Sequence, residues 1–122
     1  MSADSIVKLK DIGKIYDTGV EALKDVNFEF PVGKLSTLLG PSGCGKTTLL
    51  KIIGGLIDAT SGEVWVKGKP VSGPGPDRAF VFQDFALMPW ATILRNVAFG
   101  LALRGVPKDE RVDIARKYIK EV

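Results

Sequence analysis

An α/β fold is the class this sequence predicts, and three observations carry it. Two stretches, IVKLK at 6–10 and VNFEF at 26–30, alternate apolar and polar residues with the period of a half-buried strand. The apolar run LSTLL at 35–39 leads straight into the glycine-rich turn GPSGCGKTT at 40–48. Beyond that turn the spacing changes to a helical one, with Leu49, Ile53 and Leu56 on a single stripe.

Taken in order, the two alternating stretches predict an antiparallel sheet. Asp17-Thr18-Gly19 marks a turn between them, and Pro31-Val32-Gly33 ends the second. LSTLL reads as a buried parallel strand because it is short and mostly apolar. The helix over 47–56 is widened by Leu50 and Ile57, and Gly54-Gly55 stops it. GEVWVKGKPV at 62–71 alternates on either side of Lys67-Gly68-Lys69 and predicts a hairpin. Residues 71–77 are loop, and RAFVF at 78–82 is a second candidate for a buried strand. From Thr92 to Arg104 the pattern is helical, with Ile93, Val97 and Leu101 in one row and Leu94, Ala98 and Leu101 in another. Gly105 and Pro107 break it. A last helix starts near Lys108 with Val112, Ala115, Ile119 and Val122 on one stripe. That stripe reaches the final residue without a stop signal, which predicts a chain that is cut rather than finished.

Composition narrows the function classes. A chain of 122 residues suffices for one small domain, and 45% hydrophobic residues can form a core. The net charge of +3 is spread without any run of five like charges, so the basic residues read as a solvated surface and not as a nucleic-acid footprint. The single cysteine, Cys44, excludes an internal disulfide and fits a reducing compartment. The opening MSADSIVKLKDIG lacks the apolar core of a signal peptide. The apolar stretch at 49–57 is interrupted by Lys51, Gly54 and Gly55, far short of the roughly 20 residues of a membrane span. A cytosolic chain is expected, one able to dock on a membrane protein.

Gly40, Gly45, Lys46 and Thr47 satisfy the pattern G-x-x-x-x-G-K-[ST]. A polyphosphate is bound best by many donors converging at once. A loop wrapped around it needs residues whose backbone approaches closely and takes unusual angles, which glycine allows. The amides of residues 43–47 then form an anion nest, and the helix beyond adds its positive end. Lys46 supplies a full charge for the β- and γ-phosphates, and the Thr47 hydroxyl offers Mg²⁺ an oxygen. The nucleotide contacts are therefore expected from Gly40, Pro41, Ser42, Gly43, Cys44, Gly45, Lys46, Thr47 and Thr48, with Cys44 as a small side chain turned away from the phosphates. With glycine near 7% of residues, the fixed positions coincide by chance in less than about one chain in a hundred.

GPSGCGKTTLL resembles the Walker A wording of the ATP-binding cassette (ABC) ATPases, the motor subunits of ABC transporters. VFQD at 81–84, with Gln83 standing 37 residues after Lys46, is similar to the Q-loop of that family. Tyr16 precedes the turn by 24 residues, where the family places an aromatic. The resemblance spans the whole chain. It implies a P-loop NTPase fold: a partial ABC nucleotide-binding domain with an antiparallel β subdomain, the first part of the parallel core sheet and the start of the helical subdomain. It implies ATP and Mg²⁺ as cofactors, Tyr16 stacked on adenine, Lys46 and Gln83 in catalysis, and Thr47 and Gln83 on the metal. It also implies a transmembrane permease as partner, met through Gln83 and FALMPWATILRNVAFGL at 85–101, where Phe85, Leu87, Met88 and Trp90 are unusually apolar for a loop. A second ATPase subunit would complete the family dimer. ALMPW resembles the importer branch that handles nitrate, sulfonates or taurine.

The remaining family motifs are not in these residues. There is no LSGGQ and no histidine, and no apolar run leads into an Asp-Glu pair. Asp109-Glu110 opens a helix, where carboxylates serve the dipole. Without a general base, residues 1–122 are expected to bind ATP-Mg²⁺ weakly and not to hydrolyse it alone. LSTLL and RAFVF, lacking the strands that lie between them in the family, are expected to want for pairing partners. Two alternatives stay open: a non-catalytic nucleotide- or permease-binding module, and a different P-loop enzyme. Against the latter, no Asn-Lys-x-Asp guanine-reading motif is visible.

Overall fold

The computed structural model describes residues 5–84 and 87–122. They fall into two units, Met1–Phe80 and Val81–Val122.

The first unit is built on a four-stranded antiparallel sheet in the order β2-β1-β3-β4. Its strands are β1 (Ser5–Ile15), β2 (Glu21–Pro31), β3 (Ser61–Val66) and β4 (Lys69–Pro70). Both alternating stretches of the sequence lie inside β1 and β2, and the two strands pair antiparallel as expected. They run longer than the alternation because β1 carries a bulge. Pairing slips between Leu9 and Ile12 against β2, and between Lys10 and Gly13 against β3. Asp11 sits at the slip with φ 51°. Strict alternation puts residues three apart on opposite faces; the extra residue returns Ile12 to the face of Leu9. Both are almost fully buried. The bulged amide is satisfied, because Asp11 N–H donates to Asn27 Oδ1 at 3.0 Å. The β3–β4 hairpin turns at Lys67 and Gly68, with φ 51° and 77°, the left-handed pair of a type I′ turn.

Helix α1 (Lys46–Ile53) lays Leu49 and Ile52 against Leu9, Ile12, Leu23 and Val64 to form the core. Each such side chain contributes about 1.5–3 kcal/mol when fully buried. The buried face differs slightly from the predicted stripe. Ile52 is 2% exposed, whereas Leu50 and Leu56 are 45% and 39% exposed. The sheet meets α1 on the side of its 49/52 edge, so the periodicity found the apolar stripe but not its centre. The helix ends as Gly54-Gly55 foretold: Leu56 N–H donates to Lys51 O at 2.9 Å and Gly55 N–H to Ile52 O at 3.1 Å. The guanidinium of Arg78 donates to Ile53 O at 3.0 Å and Gly73 O at 2.9 Å, placing a cation at the negative end of α1.

Two expected strands are absent. Neither LSTLL nor RAFVF has strand structure, and the described residues hold no parallel pairing. Leu35, Leu39 and Val81 are each at least 90% exposed. A buried parallel strand needs a neighbour on each edge to satisfy its backbone, and no strand of this sheet pairs with either segment. The antiparallel part of the expected architecture is therefore formed, and its parallel part is not.

The second unit is a helical pair, α2 (Ile93–Leu103) and α3 (Lys108–Glu121). Thr92 caps α2, its hydroxyl accepting from Arg95 N–H at 3.1 Å. Val106 N–H donates back to Leu101 O at 3.1 Å and closes the helix at Gly105. Ala98 and Ala115 are the buried contacts, so the row of Leu94 and Ala98 faces inward while Ile93 and Val97 are exposed. Pro107 precedes α3, with Asp109 and Glu110 in its first turn as predicted. No helix among the described residues is long and apolar enough to cross a membrane.

Two outcomes follow from this packing. Ile12→Ala removes a side chain with no solvent exposure and should cost about 2–5 kcal/mol in urea unfolding of the chain. Asn96 Oδ1 accepts from Met88 N–H at 2.7 Å, and its Nδ2 donates to the carbonyls of Ala91 and Thr92 at 3.2 and 2.9 Å. Asn96→Ala should accordingly speed amide exchange at Met88 while leaving exchange in α3 as it was.

Candidate functional site

The turn at 40–48 begins where the unpaired segment ends and closes where α1 begins. Gly43 and Gly45 take φ 81° and 96°, angles that a side chain resists. Gly45 also has no room for one: a Cβ there would stand 2.7 Å from Ala22 O and 2.9 Å from Leu23 Cδ2. Strand β2 thus presses directly on the end of the loop and fixes the start of the helix.

That start is rich in unmet donors. The first helical bond runs from Leu49 N–H to Gly45 O at 2.9 Å, so the amides of residues 45–48 precede the helical ladder. No side chain caps them, and the first turn of α1 carries no acid. The Lys46 ammonium reaches back across the loop and donates to Gly40 O, and to Pro41 O at 3.3 Å. Cys44 N–H donates to Pro41 O at 3.3 Å, and the exposed thiol lies over Gly40, whose Cβ would meet Sγ at 2.8 Å. The Thr47 hydroxyl is exposed. Together these groups offer main-chain amides, one ammonium and hydroxyl oxygens to a single anion, with no carboxylate nearby in sequence to oppose it.

Tyr16 joins this group. It follows β1 directly, and its N–H donates to Val20 O at 2.9 Å while its carbonyl accepts from Gly19 at 2.8 Å, closing the predicted turn. Its hydroxyl shares a 2.9 Å hydrogen bond with Thr48 Oγ1. Lys14 Nζ stands 5.4 Å from the ring centroid. The structure therefore brings together Tyr16, the loop residues, Lys46 and Thr48 within the first unit. Gln83 lies in the second unit, exposed on the irregular stretch before α2. Among the apolar loop residues, Leu87 and Trp90 are exposed and Met88 is half-buried; Phe85 lies outside the described residues.

Two contributors escaped sequence reasoning: Lys14 and Ala22. Ala22 acts through Gly45, and Lys14 is anchored at the carbonyl of Asp58, both contacts distant in the chain.

The family model for ABC transporters matches residues 23–122. An uncharacterised ABC transporter ATP-binding protein of Methanocaldococcus jannaschii is 51% identical over 119 residues, which is 95% of this chain and 45% of that protein. The taurine import ATP-binding protein TauB of Escherichia coli K12 is 46% identical over 104 residues, 85% of this chain and 41% of TauB. Among solved structures, a dimeric ATP-binding cassette in a post-hydrolysis state with ADP and Pi superposes with a TM-score of 0.82 at 36% identity, covering 93% of this chain and 56% of that one. A Clostridium perfringens protein that is part of the cbiONQ ABC transporter complex gives a TM-score of 0.73 at 28% identity, covering 97% of this chain and 49% of that one. The chain spans somewhat under half the length of the curated relatives it matches. The wording of residues 40–48, the fold around them and the family match agree, and the chain belongs to the ABC transporter family.

Proposed function

We propose that this chain is the ATP-binding portion of an ABC importer ATPase. Residues 1–122 form an incomplete ABC domain with Walker A and Q-loop but without signature, Walker B or switch histidine. ATP is held by Tyr16 on the base and by residues 40–48 on the phosphates, with Lys46 as the cation. The observation that carries this reading is the meeting of an uncapped helix start, a lysine ammonium and a tethered tyrosine in one unit.

The donor set fits the cofactors. A phosphate chain suits the amides of residues 45–48, which have no competing acid in the first helical turn. Mg²⁺ prefers oxygen, and no group of three His, Cys, Asp or Glu side chains among the described residues offers it an all-protein cage. Thr47 and Gln83 would hold it alongside the phosphate oxygens, and when bound it neutralises charge developing on them. Lys46 and Gln83 would belong to the catalytic machinery of the intact ATPase. The permease would be met through Gln83 and residues 85–101, a second ATPase subunit would complete the dimer, and the protein would work at the cytoplasmic face of a membrane. The likeness to TauB, together with the ALMPW wording, supports a small anion of the taurine, sulfonate or nitrate type as cargo.

A second reading is a non-catalytic module that binds nucleotide through the same loop. In both readings residues 1–122 alone bind nucleotide without turning it over.

Two measurements decide these points. A fluorescent ATP analogue with Mg²⁺ should bind in the micromolar range, and Lys46→Ala should weaken it at least tenfold, about 1.4 kcal/mol or more. Equal affinity for both proteins refutes the phosphate assignment. Phosphate release by purified chain should stay at the background rate, and turnover abolished by Lys46→Ala would overturn the claim of inactivity.

A further inference from the structure

Arg78 sits at the end of α1 opposite the glycine-rich loop, and the chain folds closely around it. Its Nη1 donates to the carbonyl of Ile53, the last residue of the helix, at 3.0 Å, and its Nη2 to Gly73 O at 2.9 Å. Its Nε donates to Asp77 Oδ1 at 3.3 Å, and its own N–H to Gly75 O at 3.3 Å. The side chain is only 17% exposed. Two glycines bring the same segments together. A Cβ on Gly55 would collide with the Gly73 carbonyl and stand 2.8 Å from Pro74 N, and one on Gly54 would stand 3.2 Å from Phe80 Cδ2. Residues 73–80 are thus strapped across the end of α1 by a guanidinium and two close approaches.

A cation at a helix C-terminus can do no more than complement the dipole. An ammonium would serve for that. The planar fork of Arg78 does something an ammonium cannot, spanning Ile53 O, Gly73 O and Asp77 Oδ1 at once and so joining two segments. The helix between loop and strap is short and stiff. Its eight residues rise about 12 Å, and Leu49 and Ile52 are the side chains buried to seat it. On its first residue, the Lys46 ammonium holds the carbonyls of Gly40 and Pro41, which an anion in the loop would displace. A shift at that end is carried whole to the other, where Arg78 meets it. The strap ends at Phe80, three residues before Gln83.

We propose that Arg78 is a positioning residue that couples occupancy of the loop at 40–48 to the placement of residues 73–80 and, through the chain beyond them, of Gln83. It acts through the last carbonyl of α1 and touches neither nucleotide nor metal. The inference rests on the nucleotide reading given above and goes beyond it, because neither the loop pattern nor the VFQD wording calls for a cation at position 78.

Hydrogen exchange of the full chain, read by mass spectrometry with and without Mg-ATP, separates this coupling from the loop's own response. Mg-ATP should slow exchange at 43–48 and, by about fivefold or more, at 73–84 as well. Arg78→Met, which keeps an apolar stem and loses the fork, should abolish the response at 73–84 and keep the one at 43–48. Arg78→Lys, which keeps the charge without the fork, should do the same, and it supplies the comparison where Arg78→Met fails to fold. Coupling is reciprocal, so both variants should also bind Mg-ATP about fivefold or more weakly. An arginine that merely stabilised the fold would raise exchange at 73–80 with and without nucleotide alike and leave the Mg-ATP response in place. A response at 73–84 that survives in either variant therefore overturns the proposal. So does a 73–84 segment indifferent to Mg-ATP in the unaltered chain while 43–48 responds; the nucleotide reading then stands. If Mg-ATP protects neither segment, the nucleotide reading falls as well.

Discussion

The contact on which this molecule depends is the seating of α1 on the bulged sheet. Leu49 and Ile52 enter a layer made by Leu9, Ile12, Leu23 and Val64. That small core decides where the first turn of α1 points, and the first turn carries Lys46, Thr47 and Thr48. The apolar side of an eight-residue helix thereby positions its polar end. A helix this short is marginal by propensity alone, so tertiary burial is what keeps its donors in place. The close approach of β2 to Gly45 adds a second constraint from the same sheet. Site and core are thus a single construction, with strand residues on one side and phosphate-binding candidates on the other.

How much of this was legible in the sequence depended on the range of the interaction. Both helices of the second unit, the helix after the loop, the 62–71 hairpin and the two alternating strands are local patterns, and the structure contains all of them. The loop was legible because its chemistry demands particular residues at fixed offsets. The full length of β1 was not, since Asp11 interrupts the alternation and only pairing with two neighbours shows that the strand continues. The centre of the buried stripe on α1 was missed for a similar reason: periodicity defines a face, while the sheet decides which edge of it is covered. The anchor that holds Lys14 near Tyr16, the carbonyl of Asp58, is a long-range contact with no spacing to announce it.

LSTLL and RAFVF illustrate the opposite limit. Their composition is that of buried parallel strands, yet neither joins the sheet, and Leu35, Leu39 and Val81 are exposed. Strand propensity describes a residue's fit to a pleated surface that neighbours must supply. The antiparallel sheet is self-sufficient because β1 has partners on both sides. The two apolar segments have none among the strands formed here, and Leu35, Leu39 and Val81 meet solvent while Leu38 packs against the core.

The lysine of the loop carries a consequence of its own. The Lys46 ammonium is already satisfied by the carbonyls of Gly40 and Pro41. Any incoming anion therefore enters by exchange: neutral acceptors give way to charged ones, and the loop surrenders an internal clasp as it gains an external one. The free energy observed is the difference between those two sets of bonds. This arrangement clasps a glycine-rich turn from within, and on the nucleotide reading it would select for guests whose oxygens bear enough charge to win the exchange.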